Sequence, residues 1–421
     1  MIPLEEALAT VLGGCKPLPP VRMPLADAAG CVLAEDVVAT APTPPFANSA
    51  MDGYAVRAED VVDVPVRLPV VAEVAAGHPA GRALGSGEAM RIFTGAVVPE
   101  GADAIVMVEH TERVGGGATV EIREPAVLGR HIRGVGDDLQ PGDPVASVGD
   151  ALTPGRIGVL RSVGRVEVTV HPRPRVGVLS TGDELVEDDR PLRPGEIYDS
   201  NRPTMLALIR EAGGVPVDLG HAGDDENAIH RTFLSAARDC DLVLTTGGVS
   251  MGDADLVKKL FGLYAEGRMP VAIMQVAIKP AKPLAFVVFD ANRVVMCARP
   301  PFPDRLPILG LPGNPVSSMV SFELFARPAL RRLAGFPDGR LSRVPLAAVA
   351  DEPLARKADG KVHFVRVTVS VVDGSLHVLP LRGQGSHQLS AMARADGLVV
   401  LPDGDGVAAG ERTEVLLLAH L

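Results

Sequence analysis

The stretch DLVLTTGGVSMGDADLVKKL, residues 241–260, carries a complete change of local structure. Residues 241–245 are a short apolar, β-branched run, which reads as a buried strand. Thr246, Gly247, Gly248, Val249 and Ser250 follow, a turn too rich in glycine to supply a side-chain core. Asp253 and Asp255 then precede Leu256, Val257 and Leu260 at helical spacing. A strand, a glycine turn and a helix start leave backbone N–H groups and a helix N-terminus facing an anion. The two aspartates stand where a cation or a hydroxyl would be held against that anion. Taken alone, the stretch serves equally well as a plain βα turn.

Outward from it the same alternation repeats. A strand is predicted at 176–180, followed by Thr181-Gly182-Asp183-Glu184. A helix over 203–212 has Asn201 or Ser200 as its N-cap candidate and Gly213-Gly214 as its stop. A strand at 215–219, a helix from the cap Asp225 to about 237, and strands at 271–278, 284–289 and 293–298 come next. Leu311-Pro-Gly-Asn-Pro315 launches a final helix to about 333. This order predicts a parallel sheet with right-handed crossovers and a ligand crevice at the strands' C-terminal ends. Five polar motifs each lie just after a predicted strand: TGDE (181–184), GHAGDD (220–225), TTGGVSMGDAD (245–255), IKPAKP (278–283) and LPGNP (311–315). Five on one rim point to a site rather than to five unrelated turns.

In LPGNP, Asn314 fits an N-cap and Pro315 the first helical position, which would leave the N–H groups of Val316 to Ser318 free for a phosphate. The chain has only seven lysines, and two of them stand in Lys279-Pro-Ala-Lys282 at the end of a strand. A phosphate or oxyanion role is the reading for this pair. Glu184, Asp224, Asp253 and Asp255 would converge on the same rim, and carboxylates beside phosphate donors are a usual setting for Mg²⁺. Asp225 is read as a simple helix cap.

On either side the pattern changes. Leu4, Ala7, Leu8 and Val11 predict an opening helix that ends near Gly13-Gly14, and 25–34 reads as a second helix broken by Gly30. The proline-rich link 41–45 is stiff and extended. From about 46 to 142 the chain is short strands and turns, a small β domain. Three stretches there, around Asp52, Thr94 and Asp137-Asp138, are polar beyond a turn's needs, although each alone also fits a hairpin turn. Residues 144–170 read as a connector with a short helix at 154–163. After about 335 alternating runs at 361–371, 376–381, 398–401 and 414–418 predict a small barrel or sandwich, with the polar loop Gln384-Gly-Ser386-His-Gln-Leu-Ser390 in its middle.

At 421 residues, roughly two to four domains are expected. With no tryptophan and 3% aromatic residues, the cores are expected to be Val, Leu, Ile and Ala, and stacking platforms for single-stranded nucleic acid are not. A formal charge of −11 also argues against a phosphate-backbone binder. The four cysteines lie far apart without zinc spacing, no run of 18 apolar residues appears, and the start lacks a signal-peptide pattern. These features predict a soluble cytoplasmic protein.

Taken in order, SAMDGYA (49–55), RIFTGAVVPEGAD (91–103), GDDLQPGD (136–143), STGDEL (180–185), YDSN (198–201), TTGGVSMGDAD, IKPAKP, LPGNPVSS (311–318) and GQGSH (383–387) resemble the molybdopterin molybdenumtransferase family, which includes bacterial MoeA proteins and the E domain of gephyrin. The resemblance runs from about residue 4 to 420. It implies a homodimer of subunits with a discontinuous N-terminal connector domain (1–45 and 141–173), an inserted β domain (46–140), a three-layer α/β molybdopterin-binding domain (174–335) and a C-terminal β domain (336–421). It also implies Mg²⁺-dependent insertion of molybdate into adenylylated molybdopterin with release of AMP, at a site between the α/β domain of one subunit and the inserted domain of the other.

Matched residue by residue, the resemblance implies catalytic roles for Asp52, Glu184, Asp224, Asp255 and Lys279, with Glu184, Asp224 and Asp255 also toward the metal. Thr94, Asp138, Gly247, Gly248, Ser250, Lys282, Pro312, Asn314, Pro315 and Ser386 are implied on the substrate. The chain departs from the family pattern at Gln275, where a basic residue is common, at Ala281, where the loop usually has glycine, and in the proline-rich insert 299–305. Competing readings are a molybdopterin adenylyltransferase, which shares only the α/β domain and is also a candidate partner, and a gephyrin-like scaffold protein. Tungstate is an alternative oxyanion.

Overall fold

The computed structural model describes residues 1–247, 256–266, 269–290 and 305–418. The opening helix α1 (Leu4–Gly13) forms as its spacing predicts, with Ala7 and Val11 buried and Glu5 and Glu6 in the first turn, where the helix dipole favours acids. Next come β1 (Val21–Pro24) and β2 (Val32–Leu33). No helix forms over 25–34. Instead, successive turn bonds from Asp27 N to Pro24 O, Ala28 N to Leu25 O and Cys31 N to Ala28 O lead into β2.

The inserted β region follows, with β3 (Gly53–Val56), β4 (Val66–Val74), β5 (Ala89–Ile92), β6 (Ala104–Met107), β7 (Thr111–Val114) and β8 (Thr119–Ile122). They join in the order β6-β3-β5-β4-β8-β7, so one sheet accounts for the many short apolar runs. The chain then returns through α2 (Pro154–Ser162), where Thr153 Oγ1 accepts from Arg156 N and Pro154 starts the helix, to β9 (Glu167–His171). β9 lies antiparallel between β1 and β2. This pairing, made from more than 130 residues downstream, is what turns 32–33 into a strand.

The α/β region contains β10 (Arg175–Thr181), α3 (Asn201–Glu211), β11 (Val215–Ala222), α4 (Glu226–Asp239), β12 (Leu242–Thr246) and α5 (Leu256–Glu266). It continues with β13 (Val271–Gln275), β14 (Ile278–Lys279), β15 (Pro283–Phe289) and β16 (Leu306–Leu311). The sheet order is β11-β10-β12-β16-β15-β13. β10, β11, β12 and β16 are parallel as predicted, but β15 is antiparallel to both neighbours, because only the loop after β13, and no crossover helix, precedes it. The strand predicted at 271–278 also breaks: β14 leaves the sheet and pairs with the C-terminal region. Asp225 caps α4 as expected, accepting from Asn227 N at 2.8 Å and Ala228 N at 3.2 Å. Rings concentrate in this core, where Phe233, Phe261, Phe289, Phe322 and Phe325 are fully buried beside the expected aliphatics. The strand predicted at 293–298 and residues 299–304 of the insert lie outside the described residues.

The last helix is divided into α6 (Pro315–Ser321), a π-helical turn Phe322–Ala326 and α7 (Arg327–Leu333). Pro328 has no N–H to return to the preceding turn, and the helix widens there. Buried Glu323 in that turn accepts from Arg343 Nε at 2.6 Å, and Arg343 also reaches Glu211 at 2.6 Å. This bridge ties α3, the π turn and the link to the next region together.

That region has β17 (Leu346–Ala350), β18 (Val362–Val372), β19 (Ser375–Pro380), β20 (Gly397–Leu401) and β21 (Arg412–Leu417). The order β18-β19-β17-β21-β20 closes on itself because β20 also pairs with β18, so the barrel form of the prediction is the one adopted. β14 adds to β18 in parallel, with Ile278 opposite Val362 and Lys279 opposite His363.

Candidate active site

The fold brings the KPAKP and LPGNP loops and the GQGSH loop to one pocket of about 430 Å³. Lys279 and Lys282 come from the first, Pro312, Gly313, Asn314 and Ser317 from the second, and Gln384, Gly385 and Ser386 from the third; Lys361 completes the cationic lining. Lys279 and Lys282 are exposed, and among the described residues no acid pairs with either. Gln275 ends β13, its carbonyl accepting from Ile2 N at 2.8 Å, and is not part of this lining. Ala281 is buried and holds a φ of 77°, the left-handed region that the usual glycine enters without strain.

The LPGNP loop keeps the cap and first-turn positions read from the sequence but not the three free N–H groups. Asn314 is the N-cap residue but makes no side-chain cap, and Pro315 opens the helix. Val316 N donates to Ser386 O at 3.1 Å and Ser318 N to Asn314 O at 2.9 Å, so of the three N–H groups expected to be free, Ser317 alone has no partner among the described residues. The bond to Ser386 joins the C-terminal loop to this helix start. From the other side Asn201, the first residue of α3, donates through Nδ2 to Gly313 O at 2.7 Å, while Ser200 holds the N-cap position of α3 without a side-chain bond.

Gly247 directly follows β12 on the same rim. Its φ is 97°, and a Cβ there would stand 2.8 Å from Thr181 O, so glycine is required by both conformation and space. A Cβ on Gly313 would meet Gly247 Cα at 3.6 Å, which places the TTGG and LPGNP turns side by side. Gly248, Ser250, Asp253 and Asp255 lie outside the described residues.

On the adjacent strand ends, Asp183, Glu184 and Asp224 form an acidic group. Asp224 N donates to Asp183 Oδ1 at 2.8 Å. Partial burial, and then the charges of Asp183 and Glu184, push the Asp224 carboxyl above its ordinary range. Among the described residues, no three His, Cys, Asp or Glu side chains are arranged to hold a metal ion. The donor set is nonetheless all oxygen, and a hard divalent cation beside Asp224 would relieve the repulsion that raises it.

Asp52 and Thr94 meet in the inserted sheet. Both Thr94 N and Thr94 Oγ1 donate to Asp52 Oδ1 at 2.8 Å, and these two bonds hold the Asp52 carboxyl below its ordinary value. Arg91 lies between the Tyr54 and Phe93 rings, 5.1 Å from each centroid. Asp138 is exposed, its N–H donating to Thr43 O at 2.9 Å. None of these residues lines the pocket, which takes its lining from 278–283, 312–314, 317, 361 and 384–386.

Two residues were not singled out in the sequence. Lys361 escaped because it opens an ordinary alternating strand; its scarcity as one of seven lysines was the available signal. Arg366 sits in the same strand with no exposed surface, donating through Nη2 to Gly383 O at 2.7 Å and Gly385 O at 3.2 Å. Burial lowers its pKa, and its Nε and Nη1 have no partner among the described residues. Gln384 reinforces the loop by accepting from Arg366 N at 3.0 Å and donating to Arg366 O at 2.9 Å.

Three family models match the chain: the MoeA N-terminal region (domains I and II) over residues 2–164, the "Probable molybdopterin binding domain" over 177–332 and the MoeA C-terminal region (domain IV) over 348–418. The chain is 41% identical to molybdopterin molybdenumtransferase 2 of Mycobacterium tuberculosis over 98% of its own length and 97% of the relative's. It is 36% identical to the molybdopterin molybdenumtransferase of Haemophilus influenzae, covering 100% of both chains. The crystal structure of a molybdopterin biosynthesis MoeA protein from Pyrococcus horikosii superposes over 100% of both chains with a TM-score of 0.74 at 31% identity. With matches that span the connector, the inserted sheet, the α/β region and the barrel, the chain belongs to the MoeA family of molybdopterin molybdenumtransferases.

Proposed function

We propose that the protein inserts molybdate into adenylylated molybdopterin with release of AMP. The observation that carries this reading is the convergence of Lys279, Lys282 and Lys361 with Ser386 on one pocket, in a chain of formal charge −11. Molybdate is a tetrahedral dianion, and ammonium, hydroxyl and backbone N–H groups are the donors it requires. Lys279 would also neutralise charge that develops on the phosphate of the departing AMP. Glu184 and Asp224, with Asp255, would hold Mg²⁺, which when bound supplies further neutralisation of the phosphates. Asp52, kept ionised by Thr94, would orient the reacting oxygen.

Asp52, Thr94 and Asp138 are not part of the pocket within one chain, which supports a homodimer in which one subunit's inserted sheet completes the partner's site. Domain boundaries at 1–45 with 141–173, 46–140, 174–335 and 336–421 follow the same reading, as do a cytoplasmic setting and delivery of the adenylylated pterin by the adenylyltransferase. No helix of the described residues is long and apolar enough to cross a membrane. Against an adenylyltransferase reading stands the contribution of the barrel, through Lys361 and Ser386, to the pocket.

The test supplies adenylylated molybdopterin and Mg²⁺ with and without molybdate. AMP released only when molybdate is present supports the reading. Formation of adenylylated pterin from ATP and molybdopterin, with release of pyrophosphate, would assign the adenylyltransferase reaction instead.

A further inference from the structure

The GHAGDD motif supplies Asp224 and the cap Asp225, but its histidine also reaches the acidic group. His221 is half-buried, with Nε2 2.7 Å from Gly182 O. A carbonyl only accepts, so this nitrogen carries the proton and donates. Three residues on, Asp224 N donates to Asp183 Oδ1 at 2.8 Å. The end of β11 is therefore tied twice to successive residues of the TGDE turn.

A β-bulge makes the first tie possible. Val178 of β10 stands opposite Asp218 of β11, but Ser180 stands opposite His221, so β11 uses one residue more than β10 over the same span. Gly220 takes a φ of 77° there, and Asp218 Oδ1 secures the turn by accepting from Gly220 N at 2.9 Å and Arg202 Nη1 at 3.1 Å. In an even register Gly220 would face Ser180, and glycine has no side chain to donate. The bond also bears on Glu184. A Cβ on Gly182 would collide with Glu184 Oε2, so this carboxylate lies over the peptide that His221 holds. Like charges on Asp183, Glu184 and Asp224 favour separation, and the two ties between the strand ends oppose it.

We propose that His221 is a positioning residue for the acidic group: by holding the Gly182 carbonyl it keeps Glu184 near Asp224, with Asp183 as the brace, before a divalent cation arrives. This rests on the reading of Glu184 and Asp224 as Mg²⁺ ligands. It gives the bulge a task, which is to turn a donor from β11 onto the turn after β10. Loss of a group that orients metal ligands typically weakens metal affinity by roughly 10- to 100-fold.

The experiment compares full-length wild type, His221→Leu, His221→Gln and Glu184→Gln. Mn²⁺ alone is titrated into each and followed by electron paramagnetic resonance. The Mg²⁺ concentration for half-maximal AMP release, kcat at saturating Mg²⁺ and thermal unfolding are measured beside it. His221→Leu is expected to weaken Mn²⁺ binding and raise the half-maximal Mg²⁺ by about 10- to 100-fold, with kcat at saturating Mg²⁺ nearly kept. His221→Gln, whose amide can place an N–H where Nε2 stands, should recover most of both. If His221→Leu keeps wild-type metal affinity while Glu184→Gln loses it, the inference is overturned and the metal reading stands. If Glu184→Gln also keeps it, the metal reading fails and takes the inference with it. Wild type that leaves Mn²⁺ free would overturn the prior arrangement of the ligands. A fall in kcat at unchanged metal affinity, in both His221 variants, would make the histidine structural. Should His221→Leu unfold, His221→Asn, too short to reach Gly182 O, takes its place in each comparison.

Discussion

Lys279 and His363 face each other as register partners across the two-residue parallel pairing of β14 with β18. The lysine of the KPAKP loop is thereby anchored to the barrel rather than to the sheet that precedes it. The pocket wall is a seam between two regions, and its shape depends on their being held together.

Lys279 is exposed and lacks an acidic partner among the described residues, so its removal leaves no buried group unpaired. Lys279→Ala is expected to melt within a degree or two of wild type while kcat/KM for AMP release falls on the order of 10²-fold or more. Wild-type turnover would move the site elsewhere. A loss of several kcal/mol of stability would make this lysine structural.

Ala281 adopts a φ of 77° with its methyl buried. For a non-glycine residue this conformation costs about 1–2 kcal/mol, set against the burial of one methyl and the greater freedom of glycine when unfolded. Ala281→Gly is therefore expected to be neutral or stabilising by up to about 1 kcal/mol, and Ala281→Val to be destabilising. Denaturant unfolding of the two variants checks this; a clear loss for Ala281→Gly contradicts the strain.

Thr94→Val removes the hydroxyl donor to Asp52 and keeps the backbone one. A carboxyl held low by these bonds stays ionised further into acid, so its contribution is present at and above ordinary carboxylate pKa values and is lost as pH falls through the lowered one. The variant should move the Asp52 titration upward, and with it the acid limb of the activity profile. Carbon NMR of the Asp52 carboxyl and a pH–rate profile read the two effects; an unmoved titration would sever the link.

The sequence made the α/β rim legible because each motif there follows its own strand, and the Asp225 cap bonds only neighbours close in the chain. Residues 25–34 misled because a helical spacing of apolar residues was overridden by β9, a strand more than 130 residues away. The same holds for Val316, whose N–H is taken by Ser386 of a distant loop. Lys361 and Arg366 stayed hidden because an alternating strand does not reveal which of its polar residues faces a cavity. The antiparallel β15 was readable in principle, since the loop before it is too short for a crossover.

Partial burial, and then the charges of Asp183 and Glu184, raise the Asp224 carboxyl, and a bound cation would favour its ionised form. AMP release should accordingly require a divalent cation and fall roughly 10²-fold in excess EDTA, returning with added Mg²⁺. Undiminished turnover in EDTA would remove the metal role from these carboxylates.

The most direct measurement is the stoichiometry of the reaction itself. The full-length protein is incubated with adenylylated molybdopterin, molybdate and Mg²⁺, and AMP and pterin-bound molybdenum are quantified together. Equal amounts of AMP released and molybdenum inserted, both strongly reduced in Lys279→Ala, are the predicted result. AMP released without molybdenum in the pterin, or no AMP at all, would contradict the assignment.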